Sequence, residues 1–103
     1  MKIYVAGPYT NGDVAENVSN AIFYGDEILN KGHIPFIPHL THFWHFKHWH
    51  PYQAWIDYDL EWLKVCDGFI RIPGTSKGAA KEEIEARRLG LQIFTSLAQI
   101  KPI

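Results

Sequence analysis

Two carboxylates, Asp59 and Glu82, sit where their residue types and neighbours suit acid-assisted bond cleavage. Asp59 lies between Trp55 and Trp62, on the shoulder of an Ile56, Leu60, Leu63 stripe that repeats at helical spacing. Desolvation there favours the protonated carboxyl and raises its pKa. Glu82 ends the run Ser76-Lys-Gly-Ala-Ala-Lys-Glu82. Gly78 and Glu82 are four residues apart and share a helix face, so the missing side chain of Gly78 leaves room for a ligand against the carboxylate. A protonated carboxyl opposite an ionised one is what cleavage of a glycosidic bond needs: one group assists the leaving group, the other meets the cationic sugar carbon. Two plainer readings compete. Asp59 could be a part-exposed helix residue paired with Lys or Arg, and Ser76 could simply cap its helix.

Four Trp and six His are many for 103 residues, and all of them fall from His33 to Trp62. His42, His45 and His48 stand at i, i+3 and i+6, but no Cys or acidic residue lies among them, and no metal site is assigned. His42 and Trp44 are expected to line a pocket for a planar ligand such as a nucleobase, since Trp and His faces stack on bases. An aromatic loop that contacts a partner is the alternative. With neither a Walker loop nor a G-x-G-x-x-G run, NTP hydrolysis and dinucleotide binding lack their fingerprints, and no cofactor is expected.

The elements that must position these groups follow from periodicity. Ile3 to Ala6 reads as a buried strand ended by Gly7-Pro8, and an amphipathic helix runs from about Asp13 to Lys31, closed by Gly32. His33 to Ile37 is a second strand, placed at an edge by Pro35. Pro38 to Pro51 holds no period and reads as a long loop with at most one helical turn. A helix resumes at Tyr52, Asp67 to Ile72 is the third strand, and Lys77 to Leu89 is a helix ended by Gly90. Leu91 to Phe94 is the last strand, and Thr95 to Ile103 is left open between an edge strand and an oligomer contact. Strands alternating with helices indicate an α/β fold, a small doubly wound parallel sheet forming a Rossmann- or flavodoxin-like three-layer sandwich. The expected strand order is 2-1-3-4, which brings the loops at Gly7 to Gly12 and Gly74 to Gly78 to one crevice. Gly7, Tyr9, Thr10, Ser76 and Gly78 then face a ligand there.

The totals fit one domain over residues 1–103, and no apolar run approaches a membrane span. The chain opens on a strand rather than a signal-like segment, and its single Cys66 fits a reducing compartment, so a cytoplasmic location is expected. A net charge of -1 argues against binding a nucleic-acid polymer, whereas a free nucleoside or nucleotide remains open.

The chain resembles the nucleoside 2-deoxyribosyltransferase family, including the 2'-deoxynucleoside 5'-phosphate N-hydrolases and short uncharacterised members. Three stretches carry the likeness: Ile3-Tyr-Val-Ala-Gly-Pro-Tyr9; Asp59-Leu-Glu-Trp-Leu-Lys-Val-Cys-Asp67, against a D-L-x-x-[IL]-x-x-x-D pattern; and Ser76 to Glu82, against S-x-G-x-x-x-E. The resemblance implies that Glu82 is the nucleophile that forms a glycosyl enzyme and that Asp59 orients or helps protonate the departing base. It also implies that Ser76 and the N–H groups near Gly78 hold any 5'-phosphate, that Tyr9 lies beside the sugar, and that the protein is a homo-oligomer. Thr10, Asn11 and Gly12 stand where the N-hydrolases carry an Arg near their phosphate site. Glu83 should point away and pair with Arg87, while Glu85, one turn deeper on the same face, is the competing nucleophile. The expected activity is an N-glycosidase or deoxyribosyltransferase acting on a small nucleoside or nucleoside monophosphate. The alternatives are a binding module that senses a nucleotide without turning it over, and a metal-dependent hydrolase built on the His loop.

Overall fold

Strand β1 (Lys2–Ala6) alternates Ile3 and Val5 with Tyr4 and Ala6, and all four are fully buried. A strand whose two faces are both buried belongs inside a parallel sheet covered by helices on each side. The computed structural model, which describes residues 1–103, has that architecture. Four parallel strands, β1, β2 (Ile34–Phe36), β3 (Gly68–Arg71) and β4 (Gln92–Phe94), lie in the order β2-β1-β3-β4. The central pair runs Ile3 opposite Gly68 to Ala6 opposite Arg71. This is the α/β sandwich and strand order expected from the sequence, with β2 and its Pro35 at an edge.

One core packs Ile3, Val5, Ile70, Ile72 and Phe94 against Ala21 and Ile28 of α1 (Val14–Asn30). Asp13 caps α1, its carboxylate accepting from the Glu16 amide at 3.1 Å. On the opposite face, Tyr4, Ala6 and Phe69 pack against Leu63 and Cys66 at the end of α3 (Tyr52–Lys64) and Ala79 and Ala86 of α4 (Lys77–Arg88). Cys66 is a packing residue of this core.

Two expectations change. Pro38 to Pro51 is not a loop: a 3-10 turn at Pro38–Leu40 leads directly into a seven-residue helix, α2 (Thr41–Lys47). The tail is not an edge strand. It forms a 3-10 turn at Leu97–Gln99 and buries Ile100 in the first core, and the Ile103 amide donates to the Lys31 carbonyl at 2.9 Å.

Candidate active site

Because all four strands run parallel, the segments leaving β1, β2 and β3 emerge at one end of the sheet. Two of them are tied together there. Gly74, at φ +129°, brings its Cα against the Pro8 ring, and the Asn11 amide donates to the Thr75 carbonyl at 2.9 Å. Asn17 of α1 steadies the first loop by donating to the Tyr9 and Asn11 carbonyls at 2.8 and 2.9 Å. Between these loops, α2, α3 and the start of α4 lies a cleft of about 760 Å³.

Asp59 and Glu82 both line this cleft. Asp59 comes from the third turn of α3 and Glu82 from the second turn of α4, the two helices that cover one face of the sheet. Burial raises the Asp59 carboxyl to about 8, and the nearby Glu82 charge adds to the rise. Asp59 Oδ1 is buried without a hydrogen-bond partner, which a protonated or ligand-bonded carboxyl tolerates better than an ionised one. Burial also lifts Glu82, to about 7, against a hydrogen bond from Tyr4 and the positive charge of Arg71. The Tyr4 hydroxyl donates to Glu82 Oε2 from inside the second core. Burial first, and the Glu82 and Asp59 charges second, hold the Tyr4 phenol well above its usual range, so it remains a donor. Tyr4 and Arg71 both favour the ionised form of Glu82, whereas Asp59 has no such partner, so the surroundings favour ionising Glu82 ahead of Asp59.

The neighbouring glutamates are occupied elsewhere. Glu83 pairs with Arg87 at 3.2 Å and Arg71 at 3.5 Å. Glu85, expected as the competing nucleophile, instead meets the Arg88 guanidinium, which holds its carboxyl below the usual range, and it does not line the cleft.

Ser76 caps α4: its Oγ accepts from the Ala79 amide at 3.0 Å, and Arg71 also bonds its carbonyl. The residue nevertheless lines the cleft, as does Gly78, where an added Cβ would meet nothing nearer than the Tyr52 hydroxyl at 3.9 Å. Gly7, Tyr9, Thr10 and His42 complete the expected set around the same cleft. Tyr9 Oη and His42 Nδ1 are 2.6 Å apart, and burial raises the Tyr9 phenol. Trp44 does not join them. Successive residues of a helix project about 100° apart, so with Thr41, His42 and His45 turned to the cleft, Trp44 turns into a separate groove beside Phe36, Leu40 and Tyr58.

Tyr4 behind Glu82, and Asn11, Tyr52, Trp55 and Lys77 in the lining, escaped the sequence reading, which puts the His/Trp loop at the crevice without singling out His39 or His45. Tyr4 had a usable signal, because a phenol in a buried strand must find a partner for its hydroxyl. His39 is 6% exposed and donates through Nε2 to the Pro8 carbonyl at 2.9 Å. Burial lowers its pKa against the pull of the Pro8 and Gly7 carbonyls, and Nδ1 is left without a partner. No three His, Cys, Asp or Glu side chains converge in an arrangement that could hold a metal ion.

Known proteins agree with the architecture. The chain superposes with a TM-score of 0.71 on a 2-deoxyribosyltransferase from the psychrotolerant bacterium Bacillus psychrosaccharolyticus. The match covers 90% of this chain and 69% of that one at 23% identity, a likeness of fold. No curated protein matches the chain. A family model described as a domain of unknown function, DUF7768, matches residues 1–96, and the chain belongs to that family.

Proposed function

We propose that the protein cleaves or exchanges the base of a small nucleoside or nucleoside monophosphate, acting as an N-glycosidase or deoxyribosyltransferase through Glu82. The observation that carries this reading is the pair of buried carboxyls lining one cleft, Glu82 held by the Tyr4 hydroxyl and Asp59 with Oδ1 unpartnered. Support also comes from the fold shared with an enzyme described as a 2-deoxyribosyltransferase for making nucleosides. In the first step a Glu82 oxygen bonds the anomeric carbon, the bond from that carbon to the base nitrogen breaks, and Asp59 delivers its proton to the departing base. In the second, water or another base attacks the same carbon, Asp59 takes the proton back, and Glu82 is released. Tyr4 fixes the Glu82 carboxylate, and Tyr9 with His42 faces the sugar. Ser76, Lys77 and Gly78 flank any 5'-phosphate.

Incubation with deoxynucleosides and their monophosphates is expected to release free base, with a covalent glycosyl adduct on Glu82 seen by intact mass. Glu82→Gln should lower the rate on the order of 10³-fold or more. Equal rates in variant and wild type would remove Glu82 as the nucleophile, and tight nucleotide binding with no product on long incubation would replace this reading with that of a sensing module. The same proposal takes residues 1–103 as one domain working in the cytoplasm as a homo-oligomer. Sedimentation at monomer mass across the assay concentrations would remove the last part.

A further inference from the structure

His45 belongs to α2, the short helix that follows the β2 edge, and lines the cleft beside Trp49 and His50. Its Nδ1 receives the indole N–H of Trp55 at 2.9 Å and, at 3.3 Å, the backbone N–H of His50. An indole N–H and a backbone amide can only donate, so Nδ1 must present its lone pair and the ring proton must sit on Nε2. Nε2 bonds no other group of the protein. His45 is therefore a donor at Nε2, its ring orientation set by two partners at Nδ1. Turning the ring over to present an acceptor would break both bonds.

Its place along the cleft follows from α3. Trp55 and Asp59 are four residues apart and share a helix face, just over one turn or about 6 Å along the axis. A base whose glycosidic nitrogen meets Asp59 and whose far edge runs along α3 toward its N-terminus meets Trp55 and the imidazole bonded to it. We propose that His45 is a specificity-determining residue that reads this remote edge through Nε2–H, selecting a keto base, a 6-oxopurine or 4-oxopyrimidine, over its amino counterpart. This rests on the base-cleaving function proposed above. A keto oxygen accepts from Nε2–H, whereas an exocyclic amino group places donor against donor and leaves both unpaired on desolvation.

The test compares deoxyinosine with deoxyadenosine, and deoxyuridine with deoxycytidine, in turnover and in calorimetric binding, along with free hypoxanthine against adenine. Wild type should favour each keto member about tenfold or more in kcat/KM, expressed mainly in KM. In His45→Asn the amide oxygen can still accept from Trp55 but the remote donor is gone, so the preference should fall to within about threefold. In His45→Gln the amide nitrogen reaches toward the Nε2 position, so most of the preference should persist. Turnover with equal or amino-favouring selectivity, or a keto preference unchanged in His45→Asn, overturns the inference and leaves the base-cleaving function standing. A keto preference in binding that His45→Asn abolishes, with no turnover of any substrate, does the reverse.

Discussion

As the proposed nucleophile and acid, Glu82 and Asp59 must hold different protonation states at one pH, and their surroundings in the cleft favour that separation. Glu82 is raised to about 7 and Asp59 to about 8, so the productive pair, ionised Glu82 with protonated Asp59, is most populated between those values. The expected kcat/KM profile is a narrow bell, rising as Glu82 ionises and falling as Asp59 loses its proton. Asp59→Asn should remove the alkaline limb and slow turnover by about 10²–10⁴-fold, with rescue by substrates whose base departs without a proton. Tyr4 acts on the other limb. Its hydrogen bond pulls Glu82 down, so Tyr4→Phe lets the carboxyl rise further and should move the acid limb to higher pH. The loss in kcat/KM should then be larger at pH 6.5 than at pH 7.5, and an equal loss at both would count against this role for Tyr4.

The cleft exists because two loops at the ends of β1 and β3 are held in contact. Gly74 combines a φ of +129°, which side chains avoid, with a site where a Cβ would stand 2.7 Å from the Pro8 ring. Gly12, at φ +89°, has nothing within 4 Å of that position. Gly12→Ala should therefore cost only its backbone conformation, about 1–2 kcal/mol, read as the shift in denaturant midpoint. Gly74→Ala adds the collision, should cost more, and should raise KM by parting the loops. Equal costs would mean that the Pro8 contact relaxes freely. These loops and their strands were legible because short buried strands punctuated by Gly and Pro, and a Ser-capped helix, are local signals. Helix α2 was not legible. Seven residues, Thr-His-Phe-Trp-His-Phe-Lys, span barely two turns, carry no capping side chain and show bulky rings on every face, so no apolar period survives. Trp44 was misplaced for that reason. The His45 contact with Trp55 depends on how α2 leans on α3, which no window of the sequence records.

At the scale of the whole molecule the same carboxyls set how stability depends on pH. Asp59 and Glu82 sit at the rim of the core built by Tyr4, Phe69, Leu63 and Ala79, so ionising them places charge at the edge of apolar packing. Both folded-state values lie above the ordinary ones of 3.8 and 4.5. From about pH 4 to about pH 8 the folded protein thus binds more protons than the unfolded chain, and stability falls as pH rises through that window. His39 has the opposite sign: its lowered value means that the unfolded chain takes up its proton first, so stability falls as pH drops below about 6.5. The two trends oppose each other on the acid side, and the buried Cys66 thiol, pushed up to about 11, joins the fall toward pH 9, so Asp59 is read from pH 7 to 9 as the difference between wild type and a variant. Wild type should lose thermal stability across that range, and Asp59→Asn, which keeps the shape and removes the charge, should lose less. If the variant gains about 1 kcal/mol at pH 9, its Tm should exceed wild type by about 4–8 °C there, and the gap should shrink steadily as pH falls toward 4, where the unfolded chain also keeps the Asp59 proton. Parallel Tm curves would mean that Asp59 ionises near its ordinary value, and the proton it is proposed to give the departing base would then be absent at neutral pH.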